Sequence, residues 1–314
     1  MTAYIARRLA LAVPTFLLVS VLTFLMLRLI PGDILDLMVQ DFGYGGEVDR
    51  LRAELGLDKP LHVQYVDWLT AIAGSDFGQS LWTKRPVAAE LAWRYPVTLE
   101  LGVLALVLSL IISIPIGIIT AVRQDTATDY LLRTVAIGGI AIPSLWIATL
   151  AITLPSVWFG WVPPLRYVPF VDDPLANLSV MLLPAAITSI ALSGRTIRMM
   201  RAMVLEVLRQ DYIRTAWAKG LAENTILYRH AAKNALIPVI SVIGLEIPFL
   251  LGGTVIMEQI FNLPGMGLYL LQALQKRDYV PAQSIVLIFA AATVLINLVV
   301  DILYSYVDPR IRYG

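Results

Sequence analysis

The chain has 314 residues, of which 58% are hydrophobic and only 15% are charged, and its mean hydropathy is +0.74. Soluble domains carry roughly 25% charged residues, so this composition indicates an integral membrane protein. The net charge of +1 gives no indication of nucleic-acid binding, and the absence of cysteine excludes disulfides, thiolate metal sites and cysteine nucleophiles.

Six apolar stretches are long enough to cross the bilayer core, which takes about 20 residues of helix. They are residues 9–27, 101–122, 134–165, 174–194, 234–257 and 279–300. We expect residues 134–165 to cross once and to leave the membrane irregularly at Pro163 and Pro164, because two crossings need about 40 residues. The sequence therefore predicts an all-α integral membrane protein with six transmembrane helices.

The placement of Lys and Arg predicts the orientation of these spans. Residues 195–233, between the fourth and fifth stretches, hold eight basic residues, whereas the loop at 162–173 holds one, Arg166. Short loops rich in Lys and Arg stay on the cytoplasmic side. We therefore expect both termini to be cytoplasmic, and the loops at 31–96 and 162–173 to be extracytoplasmic.

The long polar insertion at residues 31–96 carries helix signals. Residues 51–55 end at Gly56, with a proline close behind, which is a typical helix stop. Residues 61–73 place apolar side chains at three- and four-residue spacing and stop at Gly74, which predicts an amphipathic helix. Two compatible interpretations follow: a packed cap over the outer ends of the spans, and a docking surface for an external partner.

Two features are candidates for the wall of a transport pathway. Glu246 lies inside the fifth apolar stretch, where a carboxylate is costly and is a functional candidate by default; it either faces the pathway or bonds to a neighbouring helix. Pro264, Gly265 and Gly267 force a sharp turn before the apolar run 268–274. That run is too short to span, so it either re-enters the membrane against protein or a water-filled cavity or belongs to an ordinary outer turn.

The polar connection at residues 195–235 has an internal order of its own. We expect the fourth span to continue as a helix beyond residue 195 and to break at 209–211. A short helix at 212–219 then ends at Gly220, which can adopt the left-handed conformation, and a second helical stretch follows. Because a helix of about two turns is marginal alone in water, it needs either a protein partner or the membrane surface to pack on.

Residues 215–220, Thr-Ala-Trp-Ala-Lys-Gly, resemble the cytoplasmic loop of ATP-binding-cassette (ABC) importer permeases, whose pattern is Glu-Ala-Ala, three residues, Gly. Arg214 stands where that Glu is expected and Thr215 replaces the first Ala, so no carboxylate acts at this point. Further pieces resemble the dipeptide, oligopeptide and nickel branch, most strongly the first permease of the usual pair. They are residues 30–33, 54–60, 76–78, 211–216, 218–221, 234–238, 263–267, 277–279 and 308–310.

The resemblance implies the architecture of a type I ABC importer permease, with a helical extracytoplasmic insertion between spans 1 and 2. It implies four kinds of partner: a second homologous permease subunit, two cytoplasmic ABC ATPases, an extracytoplasmic solute-binding protein and membrane lipid. The expected location is a bacterial or archaeal cytoplasmic (inner) membrane. The residues that would couple to an ATPase are Arg214, Thr215, Ala216, Trp217, Ala218, Lys219, Gly220 and Leu221.

No phosphate-binding loop is present in the sequence, so the chain is expected to bind no cofactor, to hold no metal and not to be an enzyme; ATP-Mg would be bound by the partner ATPases. Peptides are the favoured substrate, with nickel chelates, glutathione, haem and oligosaccharides left open. An ion-gradient-driven secondary transporter is the alternative, although no internal repeat favours it. A membrane-embedded enzyme ranks last, because no His pair or carboxylate cluster lies in the spans.

These interpretations divide the chain into four parts. They are the cytoplasmic N-terminus with span 1 (1–30), the extracytoplasmic insertion (31–96), the permease core with its coupling loop at about 195–235 (97–307), and a cytoplasmic tail (308–314).

Overall fold

The computed structural model describes residues 2–29, 52–53, 56–164 and 166–307. Within these ranges the fold is all-helical; no strand is present there, and one isolated antiparallel bridge joins Gln79 to Pro86. Most of the predicted helix at 51–55, the 30–33 motif and the tail at 308–314 lie outside the described residues.

The helices follow the apolar stretches and the helix signals of the sequence. They are α1 (Thr2–Leu29), α2 (Leu61–Ala73), α3 (Val87–Val122), α4 (Ala127–Ala141), α5 (Ser144–Phe159), α6 (Pro174–Leu208), α7 (Asp211–Ala218), α8 (Lys233–Ile260), α9 (Met266–Gln275) and α10 (Tyr279–Val307). Between α7 and α8 lie a single helical turn, Glu223–Thr225, and a π-helix, Ile226–Ala232.

By length and composition, α3, α6 and residues Tyr279–Val300 of α10 are able to cross a membrane. Two bent helix pairs raise the number to five if each pair is one span, and Ala10–Met26 is a shorter apolar helix. The multi-pass, all-helical expectation is therefore confirmed, while the number of six spans stays a prediction.

The third predicted span is broken in the middle. Helices α4 and α5 meet at an angle of 96°, where Ile142 is extended and Pro143 precedes the first turn of α5. A proline disfavours a helical conformation at the residue before it, which explains the position of the break. Helix α5 then ends at Gly160 in a left-handed conformation, with φ of 64°, and an irregular segment follows, as expected around Pro163 and Pro164.

The chain forms two compact units. The larger unit comprises the described residues of Thr98–Leu263 and those from Ile296 to residue 307. In it, α6 packs against α4 and α8, and it approaches α3 closely at Gly117. A Cβ atom added there would lie 2.6 Å from the Cβ of Met200, a separation that only glycine allows. Ile118, Met200 and Val204 belong to the buried cluster at this contact.

The smaller unit comprises Thr2–Val97 and Pro264–Leu295. Helix α2 has the predicted bounds and is followed by Gly74. A buried cluster joins the first turns of α3 to α9 and α10 through Val87, Met266 and Ile285. Asp278, between α9 and α10, is buried and accepts hydrogen bonds from the Ser80 hydroxyl at 2.6 Å and the Leu81 amide at 3.3 Å.

Candidate functional site

The polar connection between α6 and α8 contains the predicted short helix. Helix α6 continues to Leu208, and Gln210 is extended, with φ of −73° and ψ of 149°, before α7 begins at Asp211. The predicted break and the predicted short helix are both confirmed, with the helix one residue earlier than expected at each end. Asp211 lies in the first turn, where a negative charge is favoured by the helix dipole.

Gly220 ends α7 in the way that the sequence predicts. Its φ is +70°, and two hydrogen bonds close the turn: the Gly220 amide donates to the Trp217 carbonyl at 2.9 Å, and the Leu221 amide donates to the Ala216 carbonyl at 3.3 Å. This pair of bonds is the Schellman arrangement, which satisfies carbonyls at a helix end. A left-handed residue is required at its centre, and glycine adopts that conformation without a steric cost.

One face of α7 is buried against the rest of the larger unit. Ile213 and Ala216 form a cluster with Ile226 and Ala231 of the π-helix, and Val207 and Leu208 at the end of α6 pack against it. The Asn234 side chain donates to the Tyr212 hydroxyl at 3.0 Å, which ties the start of α7 to the start of α8. Helix α7 is therefore fastened to the helices on both sides of it.

The opposite face of α7 is open. Arg214, Thr215, Ala218 and Lys219 are exposed, and the large Trp217 side chain is 50% exposed.

Beside this face lies a cavity of about 330 Å³, whose walls include Trp217, Leu205, Leu208, Arg209 and Ile226. Of the eight predicted coupling residues, Ala216 alone is buried, on the inner face, while the others, including Leu221, are exposed. Helix α7 is therefore packed against the protein on one face and accessible on the other.

The π-helix was not predicted. The sequence indicates an ordinary helix at 223–233, but Ile226–Ala232 form i to i+5 turns that run directly into α8. Side-chain periodicity does not distinguish a π turn from an α turn over seven residues. π-helical segments are rare and are frequent at functional sites, and this one connects α7 to the long helix α8.

A buried ion-pair cluster that the sequence analysis missed lies along α6. Asp129 of α4 is fully buried and accepts hydrogen bonds from Arg201 Nη2 at 2.9 Å and from Arg201 Nε at 3.3 Å. The Asp125 amide donates to it at 3.1 Å, and Arg133 approaches to 3.7 Å. The Thr126 hydroxyl accepts from the Asp129 amide, so the Thr-x-x-Asp spacing signals the start of α4 but not the ion pair with Arg201.

The candidate pathway residues lie in different parts of the molecule. Glu246 of α8 belongs to the larger unit, is 3% exposed and accepts a hydrogen bond from the Thr196 hydroxyl of α6 at 3.2 Å. Pro264, Gly265 and Gly267 belong to the smaller unit, where Gly265 precedes the first turn of α9. Helix α9 has ten residues, too few to cross a bilayer.

Within the described ranges, no group of three or more His, Asp or Glu side chains is placed to hold a metal ion.

Two models of known protein families match most of the sequence. A family model described as "Binding-protein-dependent transport system inner membrane component" matches residues 113–313. A second model, for the N-terminal part of such membrane components, matches residues 1–102.

Relatives that match along their whole length are named as permease proteins of transport systems. The chain is 43% identical to a Brucella abortus (strain 2308) protein named as a permease of a peptide transport system, over 100% of both chains. It is 38% identical to the dipeptide transport system permease protein DppB of Escherichia coli (strain K12), over 100% of this chain and 99% of that one. It is 37% identical to the glutathione transport system permease protein GsiC of Salmonella typhimurium, over 100% of both.

A solved structure shares the fold. The crystal structure of an amino acid ABC transporter with histidines superimposes with a TM-score of 0.54, covering 69% of this chain and 94% of that chain. The sequences are only 13% identical, so this likeness concerns the fold alone.

Proposed function

Because this chain belongs to the family of inner membrane components of binding-protein-dependent transport systems, as an ABC importer permease of the dipeptide and oligopeptide branch, we propose that it moves short peptides across the membrane and receives force through α7. The permease role itself follows from the family, and nothing favours a secondary transporter. The finer statements, on substrate, partners and coupling residues, are the proposal.

One observation carries the coupling proposal: α7 is fixed on one face and open on the other. Its inner side chains, Ile213 and Ala216, are buried against the π-helix and the end of α6, while Trp217 and its neighbours are exposed. A push on the open face is therefore delivered to α6 and, through the π-helix, to α8. The open face, formed by Arg214, Thr215, Trp217, Ala218 and Lys219, is the surface that would enter a groove on a cytoplasmic ATPase.

The mechanism follows from that connection. ATP binding and hydrolysis on two partner ATPases move α7, and the helices shift between inward-facing and outward-facing arrangements together with those of a second homologous permease. Ligand is transported because the two arrangements expose the pathway to opposite sides of the membrane, and ATP changes their populations. An extracytoplasmic binding protein delivers the substrate. No step of the chemistry belongs to this chain, which supplies the pathway and the connection.

The topology belongs to the same proposal. Six spans with both termini in the cytoplasm place the 195–235 loop beside the ATPases and the insertion at 31–96 outside. Pro264, Gly265 and Gly267 are candidates for the pathway wall. Glu246 is also a candidate, but its carboxylate is buried and accepts a hydrogen bond from Thr196, so it would attract a peptide ammonium group only in an arrangement of the helices that exposes it. Peptide is favoured as substrate because relatives at 38–43% identity are named for dipeptide or peptide transport.

The natural absence of cysteine permits a direct test with single introduced cysteines. Trp217→Cys is expected to crosslink to the ATPase in the assembled transporter, because Trp217 lies on the open face of α7. The matched control is Val171→Cys, which is 89% exposed in the connection between α5 and α6.

In intact cells, a membrane-impermeant maleimide should label the cysteine at 171 and spare the one at 217. Crosslinking of the ATPase from position 171, or labelling of position 217 from outside, would contradict the proposal.

A further inference from the structure

The smaller unit contains a cavity that the coupling mechanism does not use. Its volume is about 290 Å³, near the lower end of the roughly 300–1,000 Å³ usual for small-molecule sites. It lies where the end of α1, the first turns of α2 and the start of α10 meet. Its walls include Arg28, Lys59, Gln64, Trp68, Leu81 and Gln283.

Arg28 is held in a fixed position at this cavity. Its guanidinium carbon lies 3.7 Å from the centre of the Phe24 ring, and its Nε donates to Gln64 Oε1 at 2.9 Å. Gln64 is itself fixed, because its amide nitrogen donates to the carbonyls of Lys59 at 2.8 Å and Leu57 at 3.3 Å. A guanidinium that is already oriented loses little freedom when it binds a ligand.

Two hydrogen-bond donors in the lining are unused. Arg28 Nη1 and Gln283 Nε2 are buried, and neither has a hydrogen-bond partner among the residues that the structure describes. The Gln283 side chain belongs to a residue only 3% exposed, so bulk water does not satisfy it readily. A buried donor without a partner costs free energy, and a ligand with acceptor oxygens would recover it.

The charges of the lining residues favour a ligand that carries a single negative charge. Lys59 and Asp67, both lining residues, form an ion pair at 2.8 Å and neutralise each other. Among the lining residues that the structure describes, this leaves the Arg28 charge without a carboxylate of its own. A carboxylate supplies one negative charge and two acceptor oxygens, one for each free donor. Both free atoms are donors, so they match the acceptor oxygens of a carboxylate rather than an ammonium group.

Most of the remaining lining residues are apolar. Leu57, Trp68, Leu81 and Val280 line the same cavity, so the group beside the carboxylate should be hydrophobic. The cavity therefore suits an apolar amino-acid residue that ends in a free carboxylate.

We propose that this cavity binds the C-terminal carboxylate of a short peptide whose last residue is apolar, with Arg28 Nη1 and Gln283 Nε2 as donors. The choice of a peptide rests on the proposed function; the preference for a carboxylate rests on the cavity alone. The site would select substrates by their C-terminal end, in the permease itself.

The test measures binding to the full-length chain in lipid nanodiscs by isothermal titration calorimetry. The probes are leucyl-leucine, its C-terminal amide, and 4-methylpentanoate, a simple carboxylate with the same apolar group. Leucyl-leucine should bind at least about tenfold more tightly than its amide, because a charge-assisted hydrogen bond is lost in the amide. Arg28→Gln should weaken binding of the acid to the level of the amide, and Gln283→Leu should weaken it about threefold or more.

Lys84→Gln is the matched control, since it removes one positive charge from an exposed residue of the same unit that does not line the cavity. It should leave the affinity unchanged. Equal binding of acid and amide to the unmodified chain overturns the inference, and this comparison needs no variant to fold. Unchanged binding to Arg28→Gln also overturns it.

Different results would overturn the proposed peptide transport and the proposed carboxylate site. If 4-methylpentanoate binds in an Arg28-dependent manner but peptides are not transported, the cavity assignment holds and the peptide function is wrong. If peptides are transported and none of the acids binds at this cavity, the cavity assignment alone is wrong.

Discussion

Gly220 offers the sharpest test of the coupling segment, because the structure separates backbone strain from side-chain contact at this position. Its φ is +70°, and a Cβ atom added there would meet nothing within 4 Å. Substitution therefore costs conformational energy alone. The left-handed conformation costs an ordinary L-residue roughly 1–2 kcal/mol, less for Asn, and more for a β-branched residue.

These differences predict an order of coupling efficiency: Gly220, then Gly220→Asn, Gly220→Ala and Gly220→Val. A cost of one to two kcal/mol lowers the population of the correctly ended helix by a factor of about 5–30. The lower population of the correctly ended helix should reduce coupling measurably, because α7 is only eight residues long and a helix of this length is marginal by itself. The assay is ligand-stimulated ATP hydrolysis and uptake by the complete transporter in vesicles.

Gly138→Ala is the matched control for this series. Gly138 also has open space around an added Cβ, but it lies inside α4, where alanine is favoured over glycine by about 0.8–1.0 kcal/mol. The same chemical change should therefore leave coupling intact. Equal coupling for Gly220→Val and the unmodified protein would refute the assignment of α7, as would an equal loss in the Gly138→Ala protein.

Three further predictions concern stability, each measured by thermal unfolding in detergent. Arg201→Met should destabilise the protein by about 1–3 kcal/mol, because it leaves the buried Asp129 carboxylate without two of its hydrogen-bond donors. Adding Asp129→Asn should restore part of the lost stability. No recovery in the double variant would argue against the ion pair. Gly117→Ala should cost about 1–3 kcal/mol by overpacking against Met200, whereas an unchanged melting temperature would mean that the helices separate freely. Burial raises the pKa of Asp278 above its ordinary value of 3.8, so the folded protein keeps this proton to higher pH than the unfolded chain. The stabilising effect of the proton is therefore complete below pH 3.8 and is lost as the pH rises through the raised pKa. Asp278→Asn should remove this pH dependence of stability, and an identical pH profile of the variant would contradict the assignment.

The sequence predicts the regular elements well, because hydrophobic periodicity and helix stops act locally. Helix α2 has the predicted bounds, and α7 lies one residue earlier than predicted at each end. Gly220 marks the end of α7 because its left-handed backbone conformation favours glycine. What the sequence does not predict depends on residues far apart in the chain. The ion pair between Asp129 and Arg201 joins residues 72 positions apart, and no local pattern pairs them.

The same distinction applies to the proposed coupling residues and to the residues that support them. The open face of α7 lies in a contiguous motif, Arg214 to Leu221. Its buried face packs on Ile226 and Ala231 of a π-helix that the sequence does not predict. A π segment adds a residue to each of its turns, so it rotates the register between α7 and α8 relative to an ordinary helix. That rotation brings the π-helix side chains under Ile213 and Ala216 while its backbone continues into α8. Under the proposed coupling, a displacement of α7 would therefore pass through this π-helix into α8, because the chain between them is helical and has no loop in it after Glu223.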